Sequence, residues 1–236
     1  MNQAKIPQPT LLTLTEEVLL KRRSVRLYRK DQVPKEMILR ILEAGRYAPS
    51  AGNGQPWKFI VLQNKKTIDD LTNTVVESCK RIRSILDYTS PGKWWLKPFA
   101  KAVIWGMPHE LHPVPFRAIS LIAEGKLGLW HGAPTVILIF KDVRGISNPD
   151  LDCGIAGQNM VLAAHSMGLG TCWVGFSQLA FRFPVRKWKK FFGIGYPYEF
   201  ASSLAIGWPK GNPDGMVERT SHPVDWYEEG TKTTIL

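Results

Sequence analysis

Cysteine is scarce in this 236-residue chain: Cys79, Cys153 and Cys172 are the full complement. None sits in a C-x-x-C pair or has a histidine at zinc-ligand spacing, which excludes a zinc ribbon and a disulfide framework. An odd, sparse set reads as buried thiols in a reducing compartment. Long apolar runs are also missing. The β-branched apolar stretch at residues 136–140 is far too short to span a bilayer. The amino terminus, broken by Pro7 and Pro9, lacks the apolar centre of a secretory signal. A cytoplasmic protein with no membrane partner is expected. No G-x-G-x-x-G follows a predicted strand and opens a helix, so a parallel dinucleotide-binding fold is not expected. His109, His112, His131, His165 and His222 show no ligand spacing, and no metal site is expected.

Acidic residues are the other shortfall. The chain holds 20 Asp and Glu against 31 Lys and Arg, a net charge of +11. Such an excess invites a nucleic-acid or membrane reading. Yet 44% hydrophobic and 22% charged residues are ordinary for a globular chain and exclude wholesale disorder. The basic residues form three separated groups, at 21–30, 80–101 and 182–190, and none belongs to a nucleic-acid motif. No nucleic-acid partner is expected. One domain covering residues 1–236 is the default.

What is present reads as mixed helices and strands. Thr13 and Glu16 form a capping box for a helix at about 13–22, with Leu14, Val18 and Leu19 on one face. Pro34 suits the first position of a second helix with Met37, Ile38, Ile41 and Leu42 on its apolar face, and Pro49 stops it. Residues 57–62 read as a buried strand, and a polar helix follows at about 67–86. The stretch at about 88–131 is rich in Trp and Pro without a clean period, and reads as an insertion of short helices and loops. A strand at 135–140, a turn at 148–150 and a helix at 152–167 come next, closed by Gly168 in a left-handed cap. Strands at 171–174 and about 200–206, a short helix at about 184–191 between them, and a Gly/Pro-rich extended tail complete the reading. This order lacks regular βαβ alternation and predicts an α+β sheet flanked by helices.

Four segments carry candidate chemistry. Arg22, Arg23, Ser24 and Arg26 place three guanidinium forks and a hydroxyl at the end of a helix, suited to a phosphate or the polar edge of a heterocycle. A basic helix end also simply complements the helix dipole. Residues 49–57 offer small residues for close backbone approach, with Ser50, Asn53 and Gln55 as hydrogen-bonding groups. Residues 168–175 end a helix on glycine and begin a strand at once, leaving Gly175 able to present backbone N–H to a ligand. Arg219, in the tail, is a phosphate ligand or a solvated charge. Each segment alone is equally compatible with an ordinary turn or surface.

Together and in order, these segments resemble the nitroreductase family of flavoproteins. The matching pieces are R-R-S-x-R-x-Y at 22–28, P-S-x-x-N-x-Q-P-W at 49–57, D-x-G-x-A-x-Q-N-M-x-L-A-A at 152–164 and G-L-G-T-C-W-V-G at 168–175. The resemblance spans about 15–220. It implies an α+β fold with a central, mainly antiparallel sheet flanked by helices, in an intertwined homodimer that holds FMN at its interface. Arg22, Arg23 and Ser24 then match the residues that hold the phosphate, ribityl chain and ring edge, and Arg26 the cation near the pyrimidine side. Pro49, Ser50 and Asn53 match the segment reaching in from the other subunit. Trp173, Val174 and Gly175 match the strand end whose backbone faces the flavin N5 region, and Arg219 the C-terminal phosphate ligand. Relatives often pair that last residue with adjacent basic residues, whereas Arg219 stands between Glu218 and Thr220.

The activity implied is a ping-pong two-electron transfer from NAD(P)H to nitro, quinone or related aromatic acceptors. Arg26 would be the electrostatic stabiliser of reduced flavin, with no other side chain catalytic. A deiodinase-like reductive dehalogenase and a flavin-fragmenting enzyme share the fold, and a basic nucleic-acid-binding module is the alternative of a different class. The 88–131 insertion falls where relatives carry a substrate-selecting lid. The two basic groups beyond the proposed phosphate site suggest docking of an acidic electron carrier, such as a ferredoxin or flavodoxin.

Overall fold

A computed structural model describes residues 11–86, 91–96, 98–99, 102, 113–182, 185–211, 217, 219–220 and 222–235. They fall into two units: Ser24–Asn212, and Met1–Arg23 together with Pro213–Leu236.

The larger unit is organised by β2 (Thr135–Asp142), whose first six residues are all buried. Alternate side chains of a strand face opposite ways. Val136, Leu138 and Phe140 accordingly join one core cluster while Ile137 and Ile139 join the other. An apolar run of this kind marks a strand covered on both faces. Antiparallel partners flank it: β1 (Trp57–Leu62) on one side, β4 (Tyr198–Gly207) on the other, with β3 (Gly170–Trp173) beyond β4. The sheet order is β1-β2-β4-β3, every pairing antiparallel, as the family resemblance implied. A register shift between Ile139 and Phe140 puts a bulge in the β2–β4 ladder.

One face is covered by α2 (Lys35–Arg46) and the helix at Pro149–Ser166. The other carries α3 (Lys65–Leu86), α4 (Pro113–Ala123), the helix α5 being that at Pro149–Ser166, and then the short α6 (Leu179–Arg182) and α7 (Val185–Phe191). Ile38 and Ile41 bury the apolar stripe of α2 against Met160 and Val161 of α5. The Asn159 side-chain amide donates to the Ala44 carbonyl at 3.2 Å and ties the two helices together. Trp130 and Trp188 are buried against α3, their indoles donating to Thr72 at 2.8 Å and Thr74 at 3.0 Å.

Several boundaries differ from the sequence reading. Pro34 is the N-cap of α2 rather than its first helical residue. The predicted turn at 148–150 is the start of α5: the Asn148 side chain caps the Leu151 N–H at 3.1 Å and Pro149 opens the helix. Gly168 takes the left-handed conformation expected after this helix, at φ +78°. Strand β1 is a half-buried edge strand rather than a fully buried one. The 88–131 stretch includes α4, with Phe116, Ile119 and Ile122 buried at helical spacing. Trp94 and Trp95 there are exposed. Trp105, His109 and His112 lie outside the described residues.

In the smaller unit, α1 (Leu14–Lys21) has the predicted capping box and no buried residue. The tail read as extended forms a hairpin instead, β5 (Val224–Glu228) with β6 (Thr231–Ile235). Glu229 and Gly230 both have positive φ, the geometry a two-residue hairpin turn requires. The Asp225 carboxylate joins the strands by accepting from Lys232 and Thr234, each at 2.8 Å.

Candidate functional site

The segment after Arg23 runs along the free edge of β3. Ser24 bridges Thr171 in parallel, and the Val25 N–H donates to the Thr171 carbonyl at 2.9 Å. Further on, Tyr28 bridges Pro209, and the Arg29 N–H donates to the Trp208 carbonyl at 2.8 Å. Gly170 allows the approach: a Cβ there would lie 2.6 Å from Val25 Cγ2. The buried Tyr28 hydroxyl lies 2.7 Å from the Val25 carbonyl and 3.3 Å from that of Ala205, fastening the segment across the sheet end. Burial holds this phenol above its ordinary range. Two motifs about 145 positions apart in sequence thus meet on one sheet edge.

Arg26 is exposed and reaches the Cys172 thiol on β3. Burial raises the Cys172 pKa, and the charge and hydrogen bond of Arg26 oppose that rise. His131 lies within electrostatic reach of the same guanidinium. Burial, then Arg26, pull its pKa below the ordinary value and favour the neutral imidazole. His131 also stands at φ +55°, uncommon for a non-glycine residue, and immediately before Gly132 at φ +78°. Beyond Cys172, Trp173 is partly exposed, Val174 is buried and Gly175 is exposed. A Cβ at Gly175 would meet nothing within 4 Å, so the strand end opens on free space.

Pro49, Ser50 and Asn53 are elsewhere in this unit. Their loop precedes β1 and packs by the turn after β2, where the Asp142 N–H donates to the Pro56 carbonyl at 2.6 Å. β1 and β3 are opposite edges of the sheet, which puts about three strand spacings, roughly 14 Å, between them. The Ser50 hydroxyl accepts from the Gln55 N–H at 3.0 Å, and Asn53 Oδ1 from the Gln55 side chain at 3.1 Å. These polar groups therefore shape a loop in which Gly52, Asn53 and Gln55 all have positive φ. Within the larger unit, Ser24, Arg26, Trp173, Val174 and Gly175 come together and Pro49, Ser50 and Asn53 do not join them.

Arg22, Arg23 and Arg219 belong to the smaller unit. Arg22 is the C-cap of α1, its N–H donating to the Val18 carbonyl at 3.1 Å, and Arg219 is exposed. In the sequence His131 is marked only by the glycine that follows it, since its position near Arg26 arises from the fold. Elsewhere, a cavity of about 510 Å³ has Ile68, Leu129 and Trp130 among its apolar lining and Lys30 and Gln63 among its polar lining. It shares no residue with the predicted flavin set.

The sheet and its helix layers define the class as an α+β protein with both sheet faces covered. The model of the nitroreductase family matches residues 19–208. A Methanothermobacter thermautotrophicus protein named "Putative NADH dehydrogenase/NAD(P)H nitroreductase" is 29% identical over 200 residues, 84% of this chain and 78% of its own length. The fold is similar to the crystal structure of a nitroreductase with bound FMN from Desulfitobacterium hafniense. That match has a TM-score of 0.66 at 24% identity and covers 89% of this chain and 96% of the other. A shorter similarity, 29% over 131 residues, connects 56% of this chain with 37% of iodotyrosine deiodinase 1 from Sus scrofa. The chain belongs to the nitroreductase family, and as such is an oxidoreductase.

Proposed function

We propose that the chain binds FMN without covalent attachment and passes electron pairs from NAD(P)H to nitro, quinone or related small aromatic acceptors. The observation that carries this reading is the junction of the Ser24–Arg26 segment with the β3 end. It sets an exposed guanidinium beside a strand end that leads, two residues on, into the exposed Gly175. Those residues suit a flat, partly anionic heterocycle: Arg26 offers charge and donors, and Gly175 leaves room for close approach. FMN, when bound, supplies the two-electron chemistry that no side chain here provides.

In this reading Arg22, Arg23 and Ser24 hold the phosphate, ribityl chain and ring edge, Arg219 is a further phosphate ligand, and the backbone of Trp173, Val174 and Gly175 faces the flavin N5 region. Arg26 keeps a positive charge at the pyrimidine edge, where reduction adds negative charge. The position of Pro49, Ser50 and Asn53 at the opposite sheet edge supports their serving the site of a second copy, in an intertwined homodimer. Residues 1–236 then act as one functional domain, with the insertion at about 88–131 as a lid, in a cytoplasmic setting.

Donor and acceptor use one site in turn, so initial rates with NADH or NADPH and a panel of acceptors should give parallel double-reciprocal lines. Intersecting lines with every pair would contradict a shared site. The deiodinase similarity makes reductive dehalogenation the second reading. A halogenated phenol therefore belongs in the panel, assayed with and without oxygen.

An acidic electron carrier is a further proposed partner. Lys187, Lys189 and Lys190 stand on α7 and form no ion pair among the described residues. By contrast, Lys80 and Arg83 of α3 are paired with Glu77 and Glu124. Reduction by a ferredoxin or flavodoxin should slow steeply with added salt, and salt-independent rates would remove this partner.

A further inference from the structure

Just beyond the end of β3, between the following turn and β4, lies a polar cluster that no part of the proposed chemistry uses. Ser177 and Ser203 are fully buried, yet neither belongs to a motif. Ser203 Oγ lies 2.7 Å from the Val174 carbonyl oxygen, Ser177 Oγ lies 2.8 Å from it, and the two hydroxyls are 2.8 Å apart. Each hydroxyl has one proton. Three contacts therefore share two protons, and every arrangement that uses both leaves at least one hydroxyl donating to the Val174 oxygen. The Val174 N–H is held as well, donating to the Ser203 carbonyl at 2.9 Å. No backbone N–H among the described residues donates to the Val174 oxygen.

The consequence follows from peptide planarity. The carbonyl of Val174 and the N–H of Gly175 belong to one peptide unit, and in a trans peptide they point in opposite directions. A carbonyl fixed toward the buried serines turns the Gly175 N–H the other way, toward the exposed side. Gly175 is exposed, and its N–H has no backbone partner among the described residues. A peptide with no such anchor could rotate and present its carbonyl instead, replacing a donor with an acceptor.

We propose that Ser177 and Ser203 are positioning residues that set the Val174–Gly175 peptide so that its N–H faces the flavin. This rests on the FMN reading of the site. The hydroxyls are redundant in part: removing one leaves the other free to donate to the same carbonyl. Only their joint removal frees the peptide, so the effects of the two substitutions are more than additive.

The test uses the purified protein stripped of FMN and titrated with FMN. Ser177→Ala and Ser203→Ala should each raise the Kd by less than about 3-fold. The double variant should raise it about 10-fold or more, the scale of one hydrogen bond to a ligand. A Ser203→Thr substitution in the Ser177→Ala background retains a hydroxyl and should restore most of the affinity. In the unsubstituted protein, amide exchange of Gly175 should be fast without FMN and slowed when FMN is added. That measurement stands even if the double variant does not fold. A double variant with unchanged Kd, single substitutions as harmful as the double, or a Gly175 amide that FMN leaves unprotected would each overturn the proposal. Unsubstituted protein that fails to bind FMN at all would overturn the underlying reading instead.

Discussion

Gly157 of α5 lies against the outer end of the Trp173 ring, and this contact ties the stability of the fold to the geometry of the strand end. A Cβ added at Gly157 would collide with Trp173 Cη2, and would lie 2.7 Å from Cζ2 and 3.2 Å from Ile139 Cδ1. Gly154, one turn earlier on the same helix, is exposed, and a Cβ there meets nothing within 4 Å. Replacing glycine by alanine inside a helix gains about 1 kcal/mol at either position. At Gly157 the collision opposes it, costing about 1–3 kcal/mol as for other overpacked cores. Comparing Gly157→Ala with Gly154→Ala cancels the propensity term and isolates the collision. For a chain of this size each kcal/mol is worth about 2–4 °C. Gly157→Ala should therefore melt roughly 2–12 °C below Gly154→Ala in a thermal scan, and a displaced Trp173 should weaken FMN binding as well. Equal melting temperatures, or a higher one for Gly157→Ala, would refute the packing of Trp173 on α5.

Two further predictions concern charge. Arg26→Ala should lower the midpoint potential of bound FMN by roughly 20–60 mV, corresponding to about 1–3 kcal/mol of lost stabilisation; an unchanged potential in the folded, flavin-loaded variant would remove Arg26 from its role. Burial pushes the Cys79 thiol up to about 11 and the Cys153 thiol up to about 12, from an ordinary 9.0. The folded state then binds more protons than the unfolded state above pH 9, so this contribution to stability is complete below that pH and is lost as pH rises toward 11–12. Neither thiol should react with a disulfide reagent at pH 8 before unfolding, and rapid labelling of either in native protein would contradict their burial.

Legibility in sequence followed the range of the forces involved. The capping box at Thr13 and Glu16, the apolar stripe of α2 and the unbroken apolar run of β2 are local signals, and each produced the expected element. The pairing order was not local. Nothing near Trp57 says that its strand is an edge, because exposure there is set by which strands lie beyond it. The tail hairpin was missed because Glu229, unlike asparagine or aspartate, is an unusual choice for a positive-φ turn position. Asn148 and Pro149 looked like a turn because a side-chain cap and a favourable first helical residue use the same residue types as a turn. Among the site residues, the motif segments marked Arg26 and the β3 end. Ser177 and Ser203 belong to no motif, and they matter through hydrogen bonds to the Val174 carbonyl that only the folded chain brings about; the charge of Arg26 reaches His131 for the same reason.

Whether this chain is a flavoprotein is read from the absorption spectrum of the purified protein, reconstituted with FMN if colourless, followed by denaturation and identification of whatever is released. A flavin spectrum and release of FMN in about one equivalent per chain are expected. Protein that stays colourless, or that releases added FMN completely on desalting, would contradict the FMN reading.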